Sequence, residues 1–327
     1  MFQLCPITSD QARVYIIKTI GYRYGMMELN STRDYHLKSD IDLMREYTIN
    51  ESLSSLDSHY MACIEEPRPF GQIVAEKFIR LGLLRQRSIV MEAGGGYGSF
   101  MEAMLSSSQG LIKKVLMADL SPCLLRKQRK RLEPFGDMVS FINADIHEIL
   151  PAISGIDLLI LNEVIGDLDT MAGLEPDKLP AGISALIDKY GLDIPDNGKF
   201  SLNTGAIKAV EEVCVKGFPA YISEHSSDPI IPEGMTWLAK GLDIDGWPRE
   251  IRLYAHSEYT IRFGHLIKVA QYFGREILSG SYAELVGLRN RSFYRFMFES
   301  GACSTPEQEI VLEFLDHIRE YRWLIIF

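Results

Sequence analysis

The chain has 327 residues, of which 46% are hydrophobic and 24% are charged, and its formal net charge is −10. This composition is typical of a soluble globular protein and excludes a disordered chain, a collagen-like chain and a coiled-coil rod. The acidic balance argues against a protein that wraps nucleic acid or docks on an anionic membrane. The five cysteines form no Cys-x-x-Cys pair, which argues against a cysteine zinc site and favours the cytoplasm.

The first segment, 1–70, is predicted to be a helical N-terminal extension that covers a site in the rest of the chain. A helix is predicted over 8–27, where apolar residues follow three capping residues, and short helical patches are expected around 40–48. Two prolines within 65–71 indicate a loop. The next helix is predicted over 72–83, because its apolar residues share one helical face.

Strands and helices then alternate. Apolar strands are predicted over 88–92, 114–119, 138–145 and 156–163, and each ends in an acidic residue. Continuous apolar runs joined by helices are typical of a parallel sheet with both faces covered. The predicted fold class is therefore α/β, a three-layer Rossmann-like sandwich, in a domain that spans 71–300.

The regular alternation stops after the fourth strand. Residues 164–202 are rich in Gly and Pro, and they are expected to be an insertion over the strand ends with one helix at 181–190. A helix over 203–216 and a strand over 220–224 resume the pattern. The remaining predictions are a strand over 250–255, a helix over 260–273, a hairpin or strand over 275–288, and a C-terminal helix within 301–327 that runs from Pro306 to about Tyr321.

The strongest chemical signal follows the first of the four strands. Residues 92–98 are Glu-Ala-Gly-Gly-Gly-Tyr-Gly, an acid-x-Gly-x-Gly-x-Gly pattern between a strand and a helix. Glycine permits tight turns and close ligand approach, and the helix N-terminus adds positive potential. An NAD-binding turn has the spacing Gly-x-Gly-x-x-Gly, with an acid about 20 residues later. Here an acid stands two residues before the first glycine.

The acids at the strand ends distinguish between two cofactors. Glu92 suits the cationic amino group of a ligand that carries an amino acid, Asp119 suits two ribose hydroxyls, and Asp145 suits an adenine amine. Because NAD lacks an amino group of that kind, the pattern favours S-adenosylmethionine. The predicted cofactor-binding residues are Glu92, Ala93, Gly94, Gly96, Gly98, Asp119, Leu120, Asp145, Ile146 and Asn162.

Several segments carry a likeness to a known family. Residues 118–132 contain an acid-Leu-Ser-Pro step before a basic helix, and 161–168 read Leu-Asn-Glu-Val-Ile-Gly-Asp-Leu. Residues 66–71 end in Phe-Gly after two prolines, and 258–263 carry a more distant likeness. These segments resemble the class I S-adenosylmethionine-dependent methyltransferases, and within them the MidA family. That family contains the mitochondrial complex I assembly factor, a protein arginine methyltransferase.

The resemblance implies a methyltransferase-type sandwich, S-adenosyl-L-methionine as cofactor and methyl transfer to a protein arginine. Two alternatives stay open from the residues themselves. The acceptor is a small molecule in one of them, and in the other the chain is a cofactor-binding assembly factor that has lost catalysis. A protein partner is compatible with either the arginine or the assembly-factor interpretation.

Three residues are candidates for catalysis. Asn162 and Glu163 end the fourth strand, where the open edge of an α/β sheet places reacting groups. Asn162 is expected to hold the methionine end of the cofactor, and Glu163 to bind or deprotonate the acceptor; alternatively, Glu163 caps the next helix. His225 follows the fifth strand and is a candidate general base. Asp167 is the next acid along the chain, with a solvated loop position as its alternative.

Two other patterns receive structural explanations. His225, His256 and His265 have none of the spacings of metal-binding motifs, so no metal site is predicted. The basic helix at 122–132 lacks interleaved aromatic residues, so it is interpreted as a solvated face or a docking face for a partner. Neither a nucleic acid nor a membrane is expected as a partner.

Overall fold

The computed structural model describes residues 27–38, 41–43, 48–108 and 110–327. The helix predicted over 8–27 therefore lies outside the described residues, apart from its last position. The strands are β1 (Glu28–Asn30), β2 (Ser88–Ala93), β3 (Ile112–Asp119), β4 (Val139–Asn143), β5 (Leu158–Asn162), β6 (Thr170–Leu174), β7 (Phe200–Leu202), β8 (Ala220–His225), β9 (Glu250–Arg252), β10 (Ser257–Tyr259), β11 (Ile277–Ser281) and β12 (Tyr321–Ile326).

The helices divide between the two termini and the connections of the sheet. They are α1 (Arg33–Lys38), α2 (Ile49–Ser52), α3 (Phe70–Arg80), α4 (Ser99–Ser107), α5 (Pro122–Arg131), α6 (Ile146–Ala152), α7 (Ala181–Tyr190), α8 (Thr204–Lys216), α9 (Phe263–Tyr272), α10 (Tyr282–Leu285), α11 (Ser292–Ser300) and α12 (Pro306–Ile318). Within the described residues, no helix has both the length and the apolar character needed to span a membrane.

A seven-stranded sheet with the order β11-β12-β8-β5-β2-β3-β4 forms the centre of the fold. Strands β4, β3, β2, β5 and β8 run parallel, and β12 runs antiparallel to both of its neighbours. From β2 the chain moves outward through β3 to β4 and then returns to β5 on the other side, which makes a topological switch point between β2 and β5. Open α/β sheets bind ligands at such a point. The predicted α/β sandwich is confirmed.

Both faces of the sheet are covered, because successive side chains of a strand point to opposite faces. In β5, Leu158 and Ile160 belong to a core that also contains side chains of α3, α4 and α12. Leu159 and Leu161 belong to a second core, with side chains of α6, α8 and α9. All four β5 side chains are completely buried, and burial of each contributes about 1.5–3 kcal/mol. This double burial explains why the strand reads as a continuous apolar run.

A second, smaller sheet joins the N-terminal extension to the insertion after β5. Strand β1 pairs antiparallel with β6, which pairs antiparallel with β7. The extension thus contributes a strand as well as the helices α1 and α2. The insertion contains β6, β7 and α7, and α7 has the bounds predicted for the helix at 181–190. The two segments expected to cover the site are therefore held together by backbone hydrogen bonds.

The C-terminal region departs most from the predictions. Helix α12 begins as expected, since Thr305 accepts a hydrogen bond from Gln308 N and Pro306 occupies the first turn. The helix ends at Ile318, however, and the rest of the predicted helical segment forms β12 between β8 and β11. The helix was predicted to reach about Tyr321 and no strand was predicted after it, because a short apolar run after a helix fits either structure. Helix α11 was not predicted.

Smaller differences concern element boundaries. The helix predicted over 72–83 is α3, which begins at Phe70 and ends at Arg80. The strand predicted over 250–255 is the hairpin of β9 and β10. The segment 275–288 contains β11 followed by α10. Each shift has the size expected where capping and sheet pairing, rather than periodicity, set the end of an element.

Candidate functional site

A cavity of about 330 Å³ lies at the carboxyl ends of β2, β3, β4 and β5. The N-terminal extension, the insertion and the β9–β10 hairpin contribute the opposite wall. Of the residues predicted to bind a cofactor, those that line the cavity are Glu92, Ala93, Gly94, Gly96, Asp119, Leu120, Asp145, Ile146 and Asn162. The three catalytic candidates Glu163, Asp167 and His225 line it as well. Gly98 is outside the lining and precedes α4 as its N-cap.

The turn after β2 depends on glycine at two positions. Gly94 and Gly96 have φ angles of 71° and 52°, in the left-handed region that side chains disfavour. A Cβ atom on Gly94 would lie 2.3 Å from Cγ2 of Val164. A Cβ atom on Gly96 would lie 2.9 Å from Cδ1 of Leu43, which belongs to the N-terminal extension. The turn therefore brings backbone to the cavity wall where a side chain would collide.

Glu92 presents an unpaired carboxylate oxygen at the end of β2. The residue is 1% exposed, and its Oε2 atom has no hydrogen-bond partner among the described residues. Burial, together with the nearby carboxyls of Asp119 and Glu51, raises the pKa of Glu92 to about 8. Buried polar atoms in native proteins are normally bonded. An unpaired carboxylate oxygen at a cavity wall is a binding position for a cationic or hydrogen-bond-donating group.

Asp119 is fixed by two protein donors. Its Oδ1 accepts a hydrogen bond from Ser121 N, and its Oδ2 accepts one from Gln128 Nε2, both at 2.8 Å. Burial raises the pKa of Asp119 to about 6. The Gln128 amide also donates to the carbonyl oxygen of Gly96 at 3.1 Å. Gln128 thus ties the glycine turn to the carboxylate of the neighbouring strand.

Gln128 is not among the predicted site residues, because the sequence of its helix indicates a solvated basic face or a docking face for a partner. Its side chain is completely buried, together with Leu124 and Leu125 of the same helix. The signal was present, because Gln128 stands four residues after Leu124 and therefore on the same helical stripe. A polar residue on a buried stripe must find a partner, and here the partner is the site.

Asp145 has a local role and a long-range contact. Its Oδ1 accepts a hydrogen bond from His147 N at 2.8 Å and caps α6. Its second oxygen pairs with the guanidinium of Arg33 in α1. The following residue, Ile146, is buried with 8% exposure and lines the cavity. The N-terminal extension therefore reaches across the cavity to the end of β4.

Asn162 is held in place at the end of β5. Its Oδ1 accepts hydrogen bonds from the hydroxyls of Ser223 at 2.7 Å and Tyr282 at 3.0 Å. Ser223 lies on the adjacent strand β8, and Tyr282 begins α10. These bonds fix the orientation of the amide. Because Oδ1 is occupied, the Nδ2 group is the part of the Asn162 side chain that can donate a hydrogen bond to a ligand in the cavity.

Glu163 caps a helix far away in the chain. Its carboxylate accepts hydrogen bonds from Ile49 N at 2.9 Å and Asn50 N at 2.8 Å, both at the start of α2, and one from the Tyr321 hydroxyl at 3.2 Å. Burial raises the pKa of Glu163 to about 7, and its φ angle of 51° is unusual for a residue other than glycine. The alternative role expected from the sequence was a cap on the helix that follows β5. The helix that Glu163 caps is instead α2, which precedes β5 in the chain.

His225 lies at the end of β8 beside a second imidazole. Its Nε2 is 3.4 Å from Nδ1 of His317, and its ring centroid is 4.0 Å from that of Tyr321. Burial lowers the pKa of His225 well below its usual range. The imidazole is therefore neutral, and the same lowering of its pKa makes it a weaker base than a free histidine.

Asp167 is surrounded by two histidines. Its Oδ1 is 3.0 Å from His36 Nε2 and 3.6 Å from His256 Nε2. Burial alone would raise the pKa of Asp167, but these histidines hold that pKa well below its usual range. Burial would lower the pKa of His256, but Asp167 and Glu258 raise it to about 10. Asp167 therefore does not occupy a solvated loop, and its side chain is only 19% exposed.

His36, Asp167 and His256 are not grouped by any sequence motif, and His36 is not among the predicted site residues. They come from α1, from the segment that follows β5, and from the turn between β9 and β10. No spacing in the sequence relates them, because each is brought to the cavity by a different tertiary contact.

No protein-family model matches the chain, and no curated protein matches it. Solved structures do resemble it. A crystal structure of an uncharacterised protein from Burkholderia thailandensis has a TM-score of 0.54 at 14% identity, over 90% of this chain and 83% of that one. A protein of the same superfamily and organism, bound to S-adenosyl-homocysteine, has a TM-score of 0.48 at 15% identity, over 79% of this chain and 76% of that one.

A more distant likeness is to magnesium protoporphyrin IX methyltransferase from Synechocystis PCC 6803, solved with bound S-adenosylmethionine. Its TM-score is 0.43 at 13% identity, over 90% of this chain and 94% of that one. At these identities the likeness concerns the fold. What the cavity binds has to be argued from its own residues.

Proposed function

We propose that this chain binds S-adenosylmethionine and transfers its methyl group to an acceptor. The observation that carries the proposal is that a glycine turn and the acids of three neighbouring strand ends line one cavity. The cavity lies at the switch point of a parallel sheet, where such folds bind ligands. Glu92, the acid before the glycines, has an unpaired oxygen. This oxygen suits the ammonium group of a ligand that carries an amino acid, and NAD has no such group.

Each end of the proposed ligand has a matching group. The Oε2 atom of Glu92 would receive the ammonium of the methionine part, and the carboxylate of Asp119 the ribose hydroxyls. Asp145 would accept from the adenine amine, and the apolar side chain of Ile146 would pack on the ring. The amide of Asn162 would donate to the methionine end, since its oxygen is already occupied by Ser223 and Tyr282.

The chemistry asked of the protein is modest. The sulfonium group of the cofactor supplies the methyl group and its own leaving group. The chain has to align the acceptor with that methyl group, exclude water and receive the acceptor's proton. We propose His225 as the base, because its imidazole lies on the cavity wall beside the imidazole of His317.

The part of the cavity beyond the cofactor positions is acidic. Glu51, Glu163 and Glu258 line it, with Asp167 beside them. The Glu163 carboxylate is bonded to α2 and Asp167 is paired with His36 and His256, so the acidic character belongs to the cluster as a whole. A carboxylate surface favours a basic nitrogen as the acceptor, since it pairs with a guanidinium through two parallel hydrogen bonds. We therefore propose a protein arginine as the acceptor. A small molecule is the second candidate, favoured by the size of the cavity alone.

Titration calorimetry tests the cofactor. The chain should bind one equivalent of S-adenosylhomocysteine and no NAD, and Asp119→Ala should remove most of the affinity. Asp137→Ala is the matched control, because Asp137 is an exposed acid outside the cavity. Binding of NAD without binding of S-adenosylhomocysteine contradicts the proposal, as does equal affinity of the Asp119→Ala variant.

A methyl-transfer assay tests the acceptor. Arginine peptides, lysine peptides and a set of small amines and alcohols are incubated with methyl-labelled cofactor. Label on arginine peptides alone supports the proposed acceptor, and label on small molecules alone supports the second candidate. Tight S-adenosylhomocysteine binding with no transfer to any acceptor favours a cofactor-binding assembly factor.

A further inference from the structure

We propose that His36, Asp167 and His256 form a binding site for one divalent transition-metal ion, with zinc as the best match. Each residue offers one ligand atom, and these atoms all lie within 4.8 Å of one another. Two imidazoles and a carboxylate form a donor set that zinc accepts in proteins. The proposal does not depend on methyl transfer, because none of the three residues is assigned to the cofactor.

The spacing of the ligand atoms fits a metal. Two ligand atoms that are each about 2.1 Å from a tetrahedral zinc ion lie about 3.4 Å apart. The distances from Oδ1 of Asp167 to the two Nε2 atoms are 3.0 Å and 3.6 Å, on either side of that value. The remaining pair of ligand atoms also lies within 4.8 Å.

The hydrogen bonding of the cluster is incomplete without an ion. The Nε2 atom of His36 and the Oδ1 atom of Asp167 are buried, and neither makes a hydrogen bond of normal geometry to the described residues. The two atoms are 3.0 Å apart and form an ion pair, in an arrangement that is rare for buried polar atoms, which are normally hydrogen-bonded. A metal ion bound between them satisfies both atoms at once.

The surrounding structure holds the three ligands together without help from a metal. The Thr32 hydroxyl donates to the carbonyl oxygen of Asp167 at 2.9 Å, which joins the start of α1 to the segment after β5. The Asn30 side-chain amide donates to the carbonyl oxygen of Ser257 at 2.8 Å, which joins β1 to β10. The site is therefore preformed. A metal ion can bind to it without a free-energy cost for ordering the chain.

Two neighbours complete the site. The ring of Tyr35 stacks on His256 with centroids 4.1 Å apart and fixes the plane of the imidazole. The Oε1 atom of Glu258 is 3.1 Å from the same His256 Nε2. His36, Asp167 and Glu258 line the cavity, so a metal ion held by these residues would lie at the cavity wall. Three protein ligands leave the fourth position of a tetrahedral zinc ion to Glu258 or to a ligand from the cavity.

The test is direct metal binding by the full chain after treatment with a chelator. Co²⁺ and Zn²⁺ are titrated separately, and the expected result is one equivalent of each, with Zn²⁺ displacing Co²⁺. Loss of an outer-shell partner lowers metal affinity about 10–100-fold. His36→Ala and His256→Ala each remove a direct ligand, so each should lower metal affinity by more than that. His59→Gln is the control, because His59 is exposed and outside the cluster, and its affinity should equal that of the wild type.

A second readout covers variants that fold poorly. Asp167→Asn keeps the shape of the side chain, and the visible absorption bands of Co²⁺ report nitrogen and oxygen ligands in the wild-type protein. The expected result is a Co²⁺ spectrum in the wild type that disappears in Asp167→Asn. Absence of Co²⁺ and Zn²⁺ binding in the wild type overturns the proposal, since hydrogen bonds alone then hold the cluster. Unchanged affinity in folded His36→Ala or His256→Ala overturns it as well.

Discussion

The two halves of the cavity are constructed in different ways. In the half proposed to hold the methyl donor, the donor half, the groups lie at or just after the ends of β2, β3 and β4, and they are Glu92 with its glycine turn, Asp119 and Asp145. In the lid half, His36, Asp167, His256 and the start of α2 arrive from segments far apart in the chain. The donor half is fixed by one sheet, whereas the lid half is fixed by contacts between separate segments.

This difference separates two kinds of failure. Substitutions in the donor half should alter affinity for the cofactor, because they change groups that a rigid sheet positions. Substitutions in the lid half should alter the order of the N-terminal extension and the acceptor side, while the cofactor positions stay intact. Four variants test this division; the first has the largest expected effect on cofactor affinity, and the other three follow in order of decreasing effect on stability.

The largest effect is expected for Gly96→Val. A β-branched residue disfavours the φ angle of 52° found there, and its Cβ atom would lie 2.9 Å from Leu43. Affinity for S-adenosylhomocysteine should fall by at least about 100-fold, or about 2.7 kcal/mol. Gly155→Val is the control, because Gly155 has a φ angle of 71° but no atom near its Cβ position. Equal loss of affinity in both variants would show that backbone strain alone is responsible.

Glu92→Gln should separate stability from binding. The raised pKa of about 8 means that the wild type loses stability as pH rises from the unfolded value of about 4.5 through 8. The neutral amide removes this loss, so the variant should gain on the order of 2–4 kcal/mol relative to the wild type between pH 5 and pH 8.5. Urea unfolding at the two pH values measures the difference. Cofactor affinity should fall about tenfold, because an ionic hydrogen bond becomes a neutral one.

Glu163→Ala is the corresponding test of the lid half. Removal of the carboxylate leaves the N–H groups of Ile49 and Asn50 without their acceptor, at a cost of about 1–3 kcal/mol for each one that stays buried. Amide hydrogen exchange over 48–53 should accelerate, and affinity for S-adenosylhomocysteine should change little. Glu65→Ala removes an exposed acid from the same segment as a control. A large loss of cofactor affinity in Glu163→Ala would show that the two halves are coupled.

The smallest effect is expected where the two halves touch. Asp145→Ser keeps a good helix cap but loses the acceptor proposed for the adenine amine. Its free energy of unfolding should stay within about 1 kcal/mol of the wild type, with a severalfold loss of cofactor affinity. Arg33→Ala removes the ion-pair partner of Asp145 together with a contact to Glu148. Because the Arg33 side chain is 46% exposed, the effect on stability should also be below about 1 kcal/mol. Equal affinity losses in both variants would assign the effect to the ion pair.

Much of the donor half could be predicted from the sequence. Apolar runs, helices and strand-end acids are local patterns, and parallel strands bring their carboxyl ends to one edge of the sheet. Residues that follow neighbouring strands therefore meet in space whatever the intervening chain does. The acids at the ends of β2, β3 and β4 are predicted in this way. The helix α7 inside the insertion is predicted from its local sequence.

The lid half was decided by tertiary structure. The pairing of β1 with β6, the capping of α2 by Glu163 and the meeting of His36 with Asp167 and His256 are contacts between segments that no periodicity relates. Strand β12 was missed for a similar reason, since only its place between β8 and β11 distinguishes it from the end of a helix. Local patterns determine which elements form, but long-range packing decides which side chains converge on a cavity wall.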